Sequence, residues 1–232
     1  MASIYGLKTN SNGLVFNFDP ENSKCNAGSN PMRDAVTGNN YSRTGSPTLG
    51  TYGGSTATVY RFTATDQYFE SGVLNTQPAT NLTIEAWIYA DSSEVSSGDR
   101  GTIVRVNGGS SAYMSWNKSN RKLSNYWYAH SPEGYHELLP AMNRNQWYHL
   151  VSVWDNSAGV LRQYQNSTGV RDSGSTSTSG NATTGANVEI GMESTGRQFA
   201  GAIGSVRIYN TALTEQQVLE NYYSSAIKYG VS

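Results

Sequence analysis

The sequence predicts an all-β fold: a two-sheet antiparallel sandwich closed by one short C-terminal helix. Three observations lead there. Apolar and polar residues alternate in short runs from Leu14 onward, the period of half-buried strands. These runs recur roughly every 8–15 residues with Gly, Asn, Asp, Ser and Pro between them, and no helical pattern interleaves. Charged residues make up only 14% of the chain, against about 25% in an average domain, while there are 24 Gly and 16 Tyr. That composition suits pleated strands and turns better than solvated helices.

Each element follows in order. Leu14, Phe16 and Phe18 share one face of a first strand, which stops at Asp19 and Pro20. Residues 21–58 are rich in Asn, Ser, Gly, Thr and Pro and read as long loops with at most short strands. Strand character resumes over 59–69, broken by Asp66 and Gln67, and again over 82–89, where Leu82, Ile84, Ala86 and Ile88 share a face. Residues 102–106 form a short strand closed by Asn107-Gly108. Strands at 113–116 and 123–129 pair across a polar turn, and 147–154 is the strongest strand, paired with 160–165. Residues 173–185 read as a mobile low-complexity loop, followed by strands at 188–192 and 199–209. Thr214 and Gln217 make a capping box, and Val218, Leu219, Tyr222 and Tyr223 give the helix a face to dock before Gly230 ends it. The chain thus divides into an arm (1–12), a sandwich (13–210) and a helix with tail (211–232) of one domain.

Composition excludes several function classes. Sixteen Lys and Arg balance 17 acids, so the sequence-independent attraction to nucleic acid is missing. Cys25 is the only cysteine, which rules out an intrachain disulfide and a CxxC metal or redox pair. No run approaches the ~20 apolar residues of a membrane span. The start has neither the basic segment nor the apolar run of a signal peptide, so the expectation is synthesis in a cytoplasm, with no membrane insertion.

Four segments in order then resemble the laminin-G-like, concanavalin A-like jelly-roll domains: GLVFNFD (13–19), LTIEAWI (82–88), WYHLV (147–151), and GAIGSVRIYN (201–210) followed by ALTEQ (212–216). The closing ENY (220–222) and the unprocessed start are most similar to jelly-roll proteins of tailed bacteriophages, which decorate heads or sit on tails and fibres. The resemblance implies a jelly roll in a virion, with other virion proteins or its own copies as partners. Two departures stand out. Gly204-Ser205 occupies a position where many relatives carry Asp, and YQNSTG (164–169) alters the turn after the central hairpin. With Asp19, Asp34, Asp66, Asp91 and Asp99 scattered singly, they argue against a calcium site, and no other cofactor is expected.

Since the fold also hosts glycosidases and lyases, chemistry is tested residue by residue. No Glu-x-Asp-x-x-Glu pattern exists. Glu189 and Glu193 would lie ~13 Å apart on a strand, too far for the ~5–5.5 Å of a retaining pair. Glu85 is expected to face solvent or a cross-strand partner, and His149 to be a hydrogen-bonded core histidine. HELLP (136–140) begins like a zinc-protease motif but has Pro140 where the second His belongs. No catalytic and no metal-ligating residue is assigned.

The candidate binding surface lies between Trp116 and Tyr135. In NYWYAH (125–130), alternation places Tyr126, Tyr128 and His130 on one face; with Trp127 turned to the core beside Leu123, the tyrosines form an outward stripe. Tyr113 on the neighbouring strand joins it, with Glu133 and Tyr135 following. Such a stripe fits either a host-surface glycan, through aromatic contact with sugar C–H faces, or another subunit or loop. Three readings stay open, in this order: a non-enzymatic virion component, a lectin-like adhesin, and a polysaccharide-cleaving enzyme with dispersed carboxylates.

Overall fold

The computed structural model describes residues 8–231 except 26, 30, 74–80, 95–96, 108–110, 128–129, 132–133, 173–176, 179–186 and 193–196, with the backbone alone at 130–131, 168–172 and 177–178. In chain order the strands are β1 (Leu14–Phe18), β2 (Met32–Arg33), β3 (Asn40–Thr44), β4 (Thr48–Gly50), β5 (Val59–Phe62), β6 (Tyr68–Ser71), β7 (Leu82–Ala90) and β8 (Arg100–Asn107). They continue with β9 (Ala112–Asn117), β10 (Leu123–Trp127), β11 (His130–Ser131), β12 (Trp147–Asp155), β13 (Val160–Gln165), β14 (Thr168–Asp172), β15 (Ser177–Thr178), β16 (Asn187–Ile190) and β17 (Gly201–Tyr209). Helix α1 (Glu215–Ser225) runs into a 3-10 turn (Ala226–Tyr229).

Two antiparallel sheets form the sandwich. One has the order β14-β13-β12-β7-β17-β5-β4, with β1 also on β17; the other has the order β10-β9-β8-β16-β6-β3-β2. Their inner faces carry the alternating apolar residues. Phe16, Phe18, Tyr41, Tyr60, Phe62 and Phe69 fill one end, and Trp116, Trp127 and Trp154 the other, all essentially without exposure. Hydrophobic burial of this kind contributes roughly 1.5–3 kcal/mol per large side chain, which makes this interior the main source of stability.

The first sheet is buried on its outer face too. There α1 and the 3-10 turn cover Trp87, which stacks on Tyr229 at 4.2 Å between centroids. The approach is close enough that a Cβ on Gly204 would lie 2.3 Å from the Tyr229 hydroxyl. Gly204 and Ser205 form a bulge in β17 against β7, and the Ser205 amide donates to the Tyr229 hydroxyl at 3.1 Å. The Gly204-Ser205 departure is therefore the seat of the C-terminal turn.

The Thr214–Gln217 capping box forms as expected. The docked face differs: Tyr223 is 47% exposed, and Asn221 is buried in its place because it bonds to Glu85 beneath the helix. The described part of strand β10 runs to Trp127, and the expected residues 128–129 lie outside the described residues; β17 starts at 201 rather than 199, and the altered turn leads into an unanticipated strand, β14. Within the expected loop 173–185, residues 177–178 pair with β11, and the remainder lies outside the described residues. So do residues 1–7 of the arm; beyond them, the Asn10 amide donates to Asn221 Oδ1 at 2.7 Å.

Candidate functional site: the outer face of the seven-stranded sheet

Among the described residues, no helix covers the outer face of the second sheet. Met114, Trp116, Leu123 and Trp127 point inward, so alternation sends Tyr113, Ser115, Ser124 and Tyr126 outward. Register then lines up one row across six strands. Tyr126 opposes Tyr113, Tyr113 opposes Arg105, Arg105 opposes Glu189, Glu189 opposes Glu70, and Glu70 opposes Ser42. Five inter-strand steps of ~4.8 Å make the row roughly 24 Å long.

Contacts along the row are specific. The Tyr113 and Tyr126 rings meet edge to face at 5.8 Å, and Tyr126 lies 5.0 Å from Tyr135. Arg105 stands 5.2 Å from the Tyr113 centroid and donates to Glu189 Oε2 at 3.1 Å. Asn107 donates to Glu189 Oε1 at 3.3 Å, and Asn187 donates to Glu70. Arg100 covers the Tyr135 ring at 3.7 Å, and Arg197 donates to the Tyr135 hydroxyl at 3.0 Å. Aromatic surface, a guanidinium donor and carboxylate acceptors thus follow one another along one track.

Tyr135 and Glu137 reach this face because residue 136 pairs with the edge of β10: the His136 amide donates to the Asn125 carbonyl at 2.8 Å and the Asn125 amide to the His136 carbonyl at 3.0 Å. Gln163, reaching through the core from β13, donates to the His136 carbonyl at 2.9 Å and accepts from the Leu138 amide at 2.8 Å; it also bonds Asn125. It acts as a positioning residue. Burial alone would raise the Glu137 carboxyl, but hydrogen bonds from Asn117, Asn120 and Ser124, with Arg100 nearby, hold it below the usual carboxylate range.

The sequence-predicted residues fare differently. Tyr113, Tyr126 and Tyr135 come together, with Trp127 and Leu123 in the core. Tyr113 is only 7% exposed, so it backs the platform, and Tyr126 and Tyr135, both half-buried, present it; the expectation of a fully outward stripe is corrected to that extent. Tyr128 and Glu133 lie outside the described residues, and of His130 only the backbone, paired with Thr178, is described. Sequence reading missed Arg105, Glu70 and Ser42, and weighed Glu189 only as a pair with Glu193. Each sits at an outward strand position, but only the register between distant strands unites them.

A charged cluster on the first sheet, beneath α1, is structural. Glu85 is 1% exposed on the outer face of β7, covered by α1, and its cross-strand partner is Arg207 at 2.7 Å. It does not face solvent. Asn221 donates to its other oxygen at 2.6 Å, and Nε2 of the fully buried His149 lies 3.0 Å from Glu85 Oε1. Among the described residues, no three His, Cys, Asp or Glu side chains gather as a metal site would require.

Two antiparallel sheets stacked as a sandwich, with a short C-terminal helix on the outer face of the first, define a concanavalin A-like jelly roll. Residues 63–219 match the Concanavalin A-like lectin/glucanases superfamily, and the chain belongs to that family, in its laminin-G-like branch. No curated protein matches the chain. Among solved structures, it is similar to domain 4 of a GH43 extracellular arabinanase from Geobacillus stearothermophilus in complex with arabinotriose, at 16% identity and TM-score 0.64, covering 92% of this chain and 100% of that one. It is also similar to the Trypanosoma rangeli sialidase in complex with an inhibitor, at 13% identity and TM-score 0.66, covering 96% of this chain but 34% of that one. The receptor binding domain of botulinum neurotoxin C/D mosaic serotype gives 12% identity and TM-score 0.69, covering 94% of this chain and 54% of that one. These likenesses establish the shared fold.

Proposed function

We propose that the protein is a non-enzymatic recognition module of a tailed-bacteriophage virion, on head, tail or fibre, that lays the outer face of its seven-stranded sheet along a host-surface polysaccharide. The observation that carries the glycan reading is the row Tyr126–Tyr113–Arg105–Glu189–Glu70–Ser42. Tyrosine surface covers the C–H patches of a sugar ring, and guanidinium, carboxylate and hydroxyl groups at strand spacing read its hydroxyls. The virion setting is supported by the sequence resemblance to phage jelly rolls, and a non-enzymatic role by the engagement of Glu85, Glu137 and Glu189 in hydrogen bonds and ion pairs.

The test pairs two measurements. Tyr126→Ala should weaken binding to exopolysaccharide of the host by about tenfold, and mass spectrometry of purified particles should find the protein in them. A glycan array without a hit would sink the recognition role, and particles lacking the chain would sink the setting.

One observation favours a second reading. Glu70 and Glu189 are directly opposite on neighbouring strands, where side chains stand ~4.5–5.5 Å apart at Cβ, near the ~5–5.5 Å carboxyl spacing of retaining glycosidases. Release of reducing ends from polysaccharide by the native chain, abolished in Glu189→Gln, would establish it in place of the first.

A further inference from the structure

The first sheet holds a separate cavity at its far edge. Strands β4 and β5 and the segment between them leave a space of about 140 Å³ lined by Thr48, Gly50, Thr51, Tyr52, Val59 and Arg61. That volume is several times the ~30 Å³ of one water and below the ~300–1,000 Å³ of drug-sized ligand sites. It is the scale of a single sugar ring. We propose that this cavity is a second saccharide site, distinct from the tyrosine row, taking one neutral monosaccharide unit.

The chemistry of the lining sets the ligand class. Arg61 lies over the Tyr52 ring at 4.2 Å and donates through Nη2 to Asp91 Oδ2 at 3.1 Å. The Tyr52 hydroxyl donates to Asp91 Oδ1 at 2.8 Å. Asp91 therefore neutralises the guanidinium and removes the net pull that would select an anion. What remains open are N–H donors of Arg61, whose side chain is 38% exposed, lone pairs on the Tyr52 oxygen, and the exposed residues Thr48 and Thr51 with their hydroxyls. Val59, 1% exposed, gives an apolar floor. Donors, acceptors and apolar surface without net charge suit the hydroxyls and C–H face of a neutral sugar.

The site is also held rigid. The Tyr52 carbonyl accepts from Trp147 Nε1 at 3.0 Å, and its ring meets Tyr89 edge to face at 5.0 Å. Gly53, at φ +62°, allows this contact, since a Cβ there would lie 2.3 Å from the Tyr89 ring. The Asp91 amide donates to the Ala200 carbonyl at 3.0 Å, and its own carbonyl accepts from Arg144 at 2.7 Å. Burial and the bond to Asp91 push the Tyr52 hydroxyl up to about 12, so it stays neutral at physiological pH. Preorganisation of this kind lowers the entropy lost on binding.

Gly50 provides the clean test. A Cβ there meets nothing within 4 Å, so Gly50→Val fills the mouth of the cavity at a β-strand position without strain. The full chain is titrated with D-glucose, D-galactose and L-arabinose, and with D-glucuronate as the anionic control, while amide NMR resonances are followed. At least one neutral sugar should shift the amides of residues 50–52 and 59–61 saturably, with glucuronate weaker. Gly50→Val should weaken that binding by about tenfold or more, and Tyr126→Ala should leave it unchanged. No saturable shift at those amides, equal binding by Gly50→Val, or preference for glucuronate would each overturn the proposal. Because the two variants report on different sheets, failure here leaves the tyrosine-row reading standing.

Discussion

Glu85 and Arg207 face each other across β7 and β17 at 2.7 Å, both almost without solvent contact beneath α1. A pair so placed is costly to desolvate, and its partners decide whether it holds. Here Asn221 comes from the helix and His149 from β12, while Tyr209 on β17 receives a hydrogen bond from Asn221 at 3.0 Å. The Tyr209 hydroxyl donates in turn to the Asn10 carbonyl at 3.2 Å. One polar cluster thus ties the N-terminal segment, the sheet and the C-terminal helix together.

Stability should follow the ionisation of Glu85. Burial by itself would raise this carboxyl, but Arg207, with His149 and Asn221, holds it down to about 2 from an ordinary 4.5. The folded value lies below the unfolded one. The stabilisation is therefore complete above the ordinary value and disappears as pH falls from 4.5 through 2. At ~1.4 kcal/mol per unit it amounts to about 3 kcal/mol. Urea midpoints measured across that range should drop for the native chain and stay flatter for Glu85→Gln. Arg207→Met, which strands the carboxylate, should cost about 3–5 kcal/mol at neutral pH.

Gly204 should tolerate no side chain. Its Cβ would meet the Tyr229 hydroxyl and ring at 2.3–2.8 Å, and shifting that ring breaks both the Ser205 hydrogen bond and the stack on Trp87. Gly204→Ala should destabilise by about 1–3 kcal/mol, as overpacking does, and alter Trp fluorescence. Unchanged unfolding free energy would show that the 3-10 turn is not seated as described.

These cases show what alternation can and cannot reveal. Placing Tyr113 and Tyr126 outward and Trp127 inward needs only the two-residue period of neighbouring strands joined by a short turn. Thr214 and Gln217 are equally local. Glu85 also alternates outward, yet it is buried, because the element that covers it lies some 130 residues later. Glu70, Glu189 and Ser42 belong to strands paired across long connections, so their common row depends on topology and register that no local pattern carries. Asn221 is polar and lies outside the expected docking face, and its partner Glu85 explains its burial.

Gln163 should control binding without touching the ligand. It spans the core to hold residues 136–138, and through them Tyr135 and Glu137. Gln163→Leu keeps the volume but leaves the Leu138 amide and His136 carbonyl without this partner. It should cost about 1–3 kcal/mol of stability and reduce polysaccharide affinity by about as much as Tyr126→Ala. Hydrogen exchange should show faster exchange at the Leu138 amide while the core strands remain protected; identical affinity would remove Gln163 from its positioning role.

The charge of the row predicts selectivity. Arg105 is the one cation of the six-residue row against Glu189 and Glu70, so the row is net negative, while Arg100 and Arg197 stand beside it at Tyr135; a ligand that follows the carboxylates should be neutral rather than anionic. Glu189→Gln removes one charge while keeping an acceptor for Arg105, which opposes it from β8. Binding of anionic polymers should then rise relative to neutral ones, and the gain should shrink as salt shortens the screening length to about 8 Å at 0.15 M. Array binding of matched neutral and uronate-bearing polymers at two salt concentrations reads the effect. A native chain that prefers the anionic polymer would mean that Arg100, Arg105 and Arg197, rather than the carboxylates, meet the ligand.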